Sequence, residues 1–125
     1  MRVYGIRGAI TVDRNTPEDI MEATKKLLLA IVEENEVDTG DIASIFFTLT
    51  ADLNAQFPAL AARELGWRHV PLLCAREISV PGAMAKVIRV LVHVNTEKSQ
   101  QELKHIYLGD AVSLREDLSE GAGGS

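Results

Sequence analysis

The stretch Val87-Ile88-Arg89-Val90-Leu91-Val92-His93-Val94 (VIRVLVHV) is the most apolar and most β-branched run of the 125-residue chain. That composition marks a buried strand. Its period of two sends Ile88, Val90, Val92 and Val94 to one face, and Arg89, Leu91 and His93 to the other. The first face packs against something apolar. The second carries a permanent guanidinium, whose burial costs several kcal/mol or more unless a partner compensates it. That partner is a carboxylate of the same chain, a neighbouring chain, or a ligand.

Working outward, residues 2–12 (RVYGIRGAITV) read as a strand interrupted by glycines. Thr16 as N-cap, Pro17 at the first helical position and Glu18-Asp19 in the first turn start a helix. Ile20, Ala23, Leu27 and Ile31 carry its apolar face to about Glu34. Residues 38–41 turn, and 43–50 (ASIFFTLT) form a second strand. A helix over roughly 55–65 follows, closed by Gly66, then a strand over 69–77 in which Pro71 marks an edge or a start. Pro81-Gly82 turns into the strand at 86–95, residues 101–104 make a helical turn, and 105–108 give a short fifth strand. Beyond Gly109 the chain is expected to have weak structure. Five strands and two main helices make an α+β domain with a mixed sheet covered by helices on one face. The uncovered face, apolar in part, implies a homo-oligomer that packs sheet against sheet.

Length and composition narrow the class. The chain is one domain, assigned to residues 1–118, with a disordered tail over 119–125 that ends in Gly-Ala-Gly-Gly-Ser. No run approaches the roughly 18 apolar residues of a membrane span, and the start does not read as a signal peptide. The single cysteine, Cys74, excludes an internal disulfide framework and suits a reducing, cytoplasmic setting. Cysteine and histidine do not fall in zinc-ligand spacing, so no metal site is expected. A net charge of −5 argues against nucleic acid as a partner. Yet eight arginines stand against five lysines, and converging arginines can hold a small carboxylate.

Arg7, in Gly5-Ile6-Arg7-Gly8, is a second arginine set in an apolar strand, beside glycines that permit close approach of a backbone or ligand. Glu77, at the end of Cys74-Ala75-Arg76-Glu77, can pair with Arg89 or share a ligand with it. Cys74 and Glu77 are three apart, so a regular strand points them to opposite faces unless it bulges or ends near Ala75–Arg76. Cys74 has no telling histidine to activate it and reads as a small hydrophobe. Taken alone, Arg63, Tyr107 and Arg115 are ordinary surface positions.

Together, GIRGAITV (5–12), ADLNAQFPALAARELGW (51–67), VPLLCAREISVPG (70–82), IRVLVHVNT (88–96) and HIYLGDAVSLREDL (105–118) form an ordered set. The chain thereby resembles the monofunctional chorismate mutases of the trimeric α/β class, unrelated in fold to the all-helical ones. The resemblance implies a pseudo-barrel homotrimer whose three sites lie between adjacent subunits. It implies the Claisen rearrangement of chorismate to prephenate, at the branch to phenylalanine and tyrosine, with no cofactor. Arg89 then corresponds to the cation beside the ether oxygen of the breaking bond, and Glu77 and Cys74 to partners of the ring hydroxyl. Arg7 and Tyr107 correspond to carboxylate holders, and Phe57 to an apolar wall contributed with Arg63 by the neighbouring side. Leu114 and Arg115 correspond to a C-terminal segment that closes over the site. Leu60 and Leu73 depart from the lysine and threonine that some relatives carry there. Two rival readings are a non-catalytic trimeric binder of a small dianion and an imine deaminase of similar trimeric architecture. The joint presence of Arg7, Glu77, Arg89 and Tyr107 favours the mutase.

Overall fold

The computed structural model describes residues 1–114; Arg115 and the tail expected over 119–125 lie outside the described residues. Five strands form one sheet: β1 (Arg2–Thr11), β2 (Ile42–Leu49), β3 (Leu72–Arg76), β4 (Val87–Thr96) and β5 (Ile106–Leu108). Their spatial order is β3-β2-β4-β1-β5. The VIRVLVHV strand is therefore central, antiparallel to both β1 and β2, while β3 and β5 add in parallel at the two edges. This is the mixed α+β sheet expected.

Helix α1 (Pro17–Glu34) begins as the sequence dictates, with the Thr16 hydroxyl accepting from the Asp19 amide at 3.1 Å. Its stripe of Ile20, Leu27, Leu28 and Ile31 is fully buried against Ile6, Ile45, Phe47, Ile88 and Val92. Burying each such side chain is worth about 1.5–3 kcal/mol, which makes this layer the main source of stability. Helix α2 (Ala59–Glu64) adds Ala61 and Ala62 to the same core. It starts four residues later than expected, because Pro58, with no N–H to donate, serves as its N-cap. Gly66 closes it at φ +87°. Among the described residues no helix is long and apolar enough to cross a membrane.

Among the described residues no α-helix covers the opposite face. Val3, Phe46 and Leu73 remain 53%, 44% and 59% exposed there. One end alone is covered: Ala9, Val87, Tyr107 and Ala111 make a small second core. Its cover is a 3-10 segment, Gly109–Leu114, so the chain past Gly109 is more regular than its pattern suggests. Gly109 makes the turn at φ +61°, and the Thr11 hydroxyl accepts from the Asp110 amide at 2.9 Å.

The glycines of β1 do not interrupt it. Gly8 exists for packing: a Cβ there would lie 2.8 Å from Ile31 Cδ1 and 3.1 Å from Val90 Cγ2. Side chains also complete the outer edge of β1 ahead of β5, where backbone groups need partners. Gln100 bonds both the amide and the carbonyl of Gly5, and His105 Nδ1 accepts from the Arg7 amide at 2.9 Å. Asn35, at the C-cap of α1, grips the Lys104 backbone in both directions, at 2.7 and 3.0 Å. His105 and β5 are thereby locked to α1 and β1.

Two outcomes follow from this packing. Gly8→Ala should lower unfolding free energy by about 1–3 kcal/mol, the usual range for overpacking a tight core; an unchanged urea midpoint would mean that α1 moves away freely. His105 accepts at Nδ1 and is neutral in the native state, its pKa pushed below the ordinary 6.5 by burial and then by the Arg7 charge. Between that lowered value and 6.5 the unfolded chain binds a proton that the native chain does not. Its contribution is therefore complete above 6.5 and lost as pH falls toward the native value. His105→Asn keeps an acceptor near the Nδ1 position without titrating. Its urea midpoint should fall less than that of the parent between about pH 7.5 and about pH 5.5; equal falls would show that other groups govern the acid limb.

Candidate active site

On the helix-free face, strand register gathers the charged residues. Arg89 on β4 stands opposite Ala9 of β1 and Thr48 of β2, while Arg7 stands opposite Leu91, two residues along β4. Tyr107 on β5 pairs with Ala9. Glu77 follows the end of β3, its amide bonded to the Leu49 carbonyl at 2.8 Å. These elements enclose a cleft of about 520 Å³ lined by Arg7, Phe46, Thr48, Glu77, Arg89 and Tyr107, with Gly8, Val90 and Leu91. Among the described lining residues two arginines stand beside one glutamate, in an otherwise acidic protein. That is a setting for an anion.

The puzzle of the buried arginine resolves in two parts. Arg89 Nε lies 3.2 Å from Glu77 Oε2, so a carboxylate of the same chain neutralises it. Nε itself is out of solvent, and its N–H does not meet hydrogen-bond geometry with that oxygen. The side chain nonetheless keeps 39% of its surface exposed, so the guanidinium is compensated but not sealed. The Thr48 hydroxyl donates to the same Oε2. Tyr107 is 6% exposed and held in the second core, which Leu114 joins at its margin. His93, the face-mate of Arg89, hydrogen-bonds Ser44 at 3.0 Å and meets Phe46 edge-on, so it is a satisfied polar residue.

Phe57, Arg63 and Cys74 are not in this cleft. Cys74 pairs with Phe47, which faces the helices, whereas Glu77 reaches the open face. The parity conflict between them is real: β3 ends at Arg76, and the two side chains remain on opposite sides. Cys74 instead lines a groove of about 410 Å³ at the free edge of β3, with Phe57, Leu60, Arg63 and Leu73. Burial raises its thiol pKa, offset in part by a hydrogen bond from the Ala59 backbone, and a protonated thiol is no nucleophile. The singled-out residues thus fall in two clusters, one on the open face over the central strands and one in the groove at the free edge of β3, and the two departures, Leu60 and Leu73, both fall in the second. Thr48 and Phe46 were missed by reading residues alone. Alternation in IFFTL puts them on one face, but only the β2–β4 register brings Thr48 beside Arg89.

Comparison with known proteins follows the same lines. The chain is 51% identical over 117 residues to the chorismate mutase AroH of Thermus thermophilus, covering 93% of this chain and 96% of that protein. It is 47% identical over 120 residues to the chorismate mutase AroH of Bacillus subtilis (strain 168), covering 95% and 94% respectively. The solved structure of a chorismate mutase from Clostridium thermocellum superposes with a TM-score of 0.87 at 49% identity, over 88% of this chain and 98% of that one. Residues 3–118, nearly the whole chain and all five strands, match the family described as chorismate mutase type I, and the chain belongs to that family.

Proposed function

We propose that the cleft of Arg7, Glu77, Arg89 and Tyr107 carries out the rearrangement of chorismate to prephenate, and that a second copy of the chain completes it. Family membership makes the chain a chorismate mutase, an isomerase of aromatic amino acid biosynthesis. The reaction breaks an ether C–O bond and forms a C–C bond within one molecule. It needs no nucleophile, base or cofactor, so the protein's share is conformation and electrostatics. The observation that carries the reading is the Arg89 guanidinium, compensated at Nε by Glu77 yet open to the cleft beside Arg7 and Tyr107.

Arg7 and Tyr107 hold a carboxylate of the substrate, and Glu77 receives its ring hydroxyl. This restraint keeps the enolpyruvyl group folded over the ring, within reach of the carbon it joins. As the C–O bond breaks, negative charge grows on the ether oxygen. A guanidinium already aimed there stabilises the transition state more than the ground state. The other half of the site, Phe57, Arg63 and Cys74, comes from the β3 edge of a neighbour, with Leu114 at the margin of the Tyr107 core. Two different surfaces meeting head to tail generate a closed ring, here a trimer. That ring also covers Phe46 and Leu73 and removes the open edge of β3. The cytoplasm is the compartment this reading assigns.

Two measurements test it. Replacing Arg89 by citrulline, isosteric but neutral, should lower kcat by the equivalent of about 3–4 kcal/mol or more, with a far smaller change in KM. Arg89→Lys should fail comparably, since a point charge does not reproduce the fork. Loss of chorismate ultraviolet absorbance reads both, and equal damage to kcat and KM would leave Arg89 a binding residue only. Sedimentation at micromolar concentration should show a trimer, and Leu73→Glu should dissociate it and abolish turnover. An active monomer would sink the shared site.

A further inference from the structure

The geometry points to Thr48 as a positioning residue for the rearrangement, acting through Glu77 on the Arg89 guanidinium; this inference rests on the chorismate reading above. Thr48 stands between Arg89 of β4 and Ala75 of β3 in the sheet register, so its side chain emerges between the guanidinium and the carboxylate. Its hydroxyl donates to Glu77 Oε2, the oxygen that also faces Arg89 Nε at 3.2 Å.

Glu77 needs such a support. It lies past the end of β3, and its backbone bond to Leu49 fixes the main chain but not a side chain with three rotatable bonds. The Arg89 contact does not supply a direction, because its N–H misses hydrogen-bond geometry. Thr48 does. It is β-branched, sits within the three central strands, and its χ1 is stiff, so its hydroxyl direction is set by the sheet. A carboxylate so anchored stands at one place, and the cation follows it. The arrangement also divides the carboxylate: Oε2 accepts from Thr48 and faces Arg89 Nε, and Oε1 serves as acceptor for a substrate hydroxyl. In a reaction driven by a preorganised charge, small errors in that position cost rate before they cost binding.

The test compares Thr48→Val, Thr48→Ala and Thr48→Ser, each alone and combined with Glu77→Gln, in the chorismate absorbance assay, with thermal midpoints recorded for every variant. Removing the hydroxyl, as valine or alanine does, should lower kcat on the order of tenfold while KM moves less than about threefold. Serine keeps the donor and should recover most of kcat. In the Glu77→Gln background the same substitutions should change kcat little, because the residue through which Thr48 acts has already lost its charge. Alanine supplies the result if valine does not fold. A hydroxyl-free variant within about twofold of the parent would overturn the inference, as would serine no better than valine, or an undiminished effect beside Glu77→Gln. A parent protein that does not turn over chorismate would overturn the underlying reading as well, which separates the two failures.

Discussion

The pairing of Arg89 with Glu77 is the constraint around which the rest of the sheet is arranged. A guanidinium in the central strand is tolerable only if a carboxylate meets it, and an ion pair in a half-buried position adds little net stability after desolvation. Its value is to keep a compensated cation at the cleft, while the direction of the carboxylate comes from Thr48. The even positions of β4 supply the stability instead, with Ile88, Val90, Val92 and Val94 all buried under α1 and α2. One strand thus divides its labour by parity, the helix-covered face holding the fold and the open face holding the charge.

That division was legible because it follows from period alone. The start and end of α1 were also legible, since Thr16, Pro17 and the apolar stripe act within a few residues of one another. The start of α2 was legible in part: the pattern extends it back to about residue 55, although Pro58 by itself favours a helix start where one is found. The 3-10 segment after Gly109 was hidden for a different reason. It exists because Ala111 and Leu114 pack on Tyr107 and Val87, partners contributed by β5 and β4. Gly8 illustrates the same limit: its isolation in an apolar strand signalled close approach, but nothing local said that the approaching group was Ile31 of α1.

The site was legible as a set of residues and not as a geometry. Arg7, Glu77, Arg89 and Tyr107 were named from odd placement and from resemblance, and the sheet brings these four together. Phe57, Arg63 and Cys74 belong to the same pattern, yet one chain holds them in a separate groove at the free edge of β3. Parity raised the question without settling it: β3 ends at Arg76, yet the Glu77 amide still bonds the Leu49 carbonyl, so the alternation carries on and the two side chains stay on opposite faces. Thr48 lay beyond such reasoning, since its importance depends on which strand lies beside β2 and in what register.

The separation of the half-sites also bears on why the cation can be held so lightly. Within one chain the cleft stays open to solvent, and Arg89 keeps a large part of its surface. Water there would weaken the field on the ether oxygen and screen the carboxylate contacts. In the proposed trimer the β3 edge of the neighbour, with Phe57, closes the cleft and excludes that water. In that proposal the full strength of Arg89 needs two chains. Under the same proposal the apolar open face, where Phe46 and Leu73 stand exposed, makes assembly and catalytic competence one event.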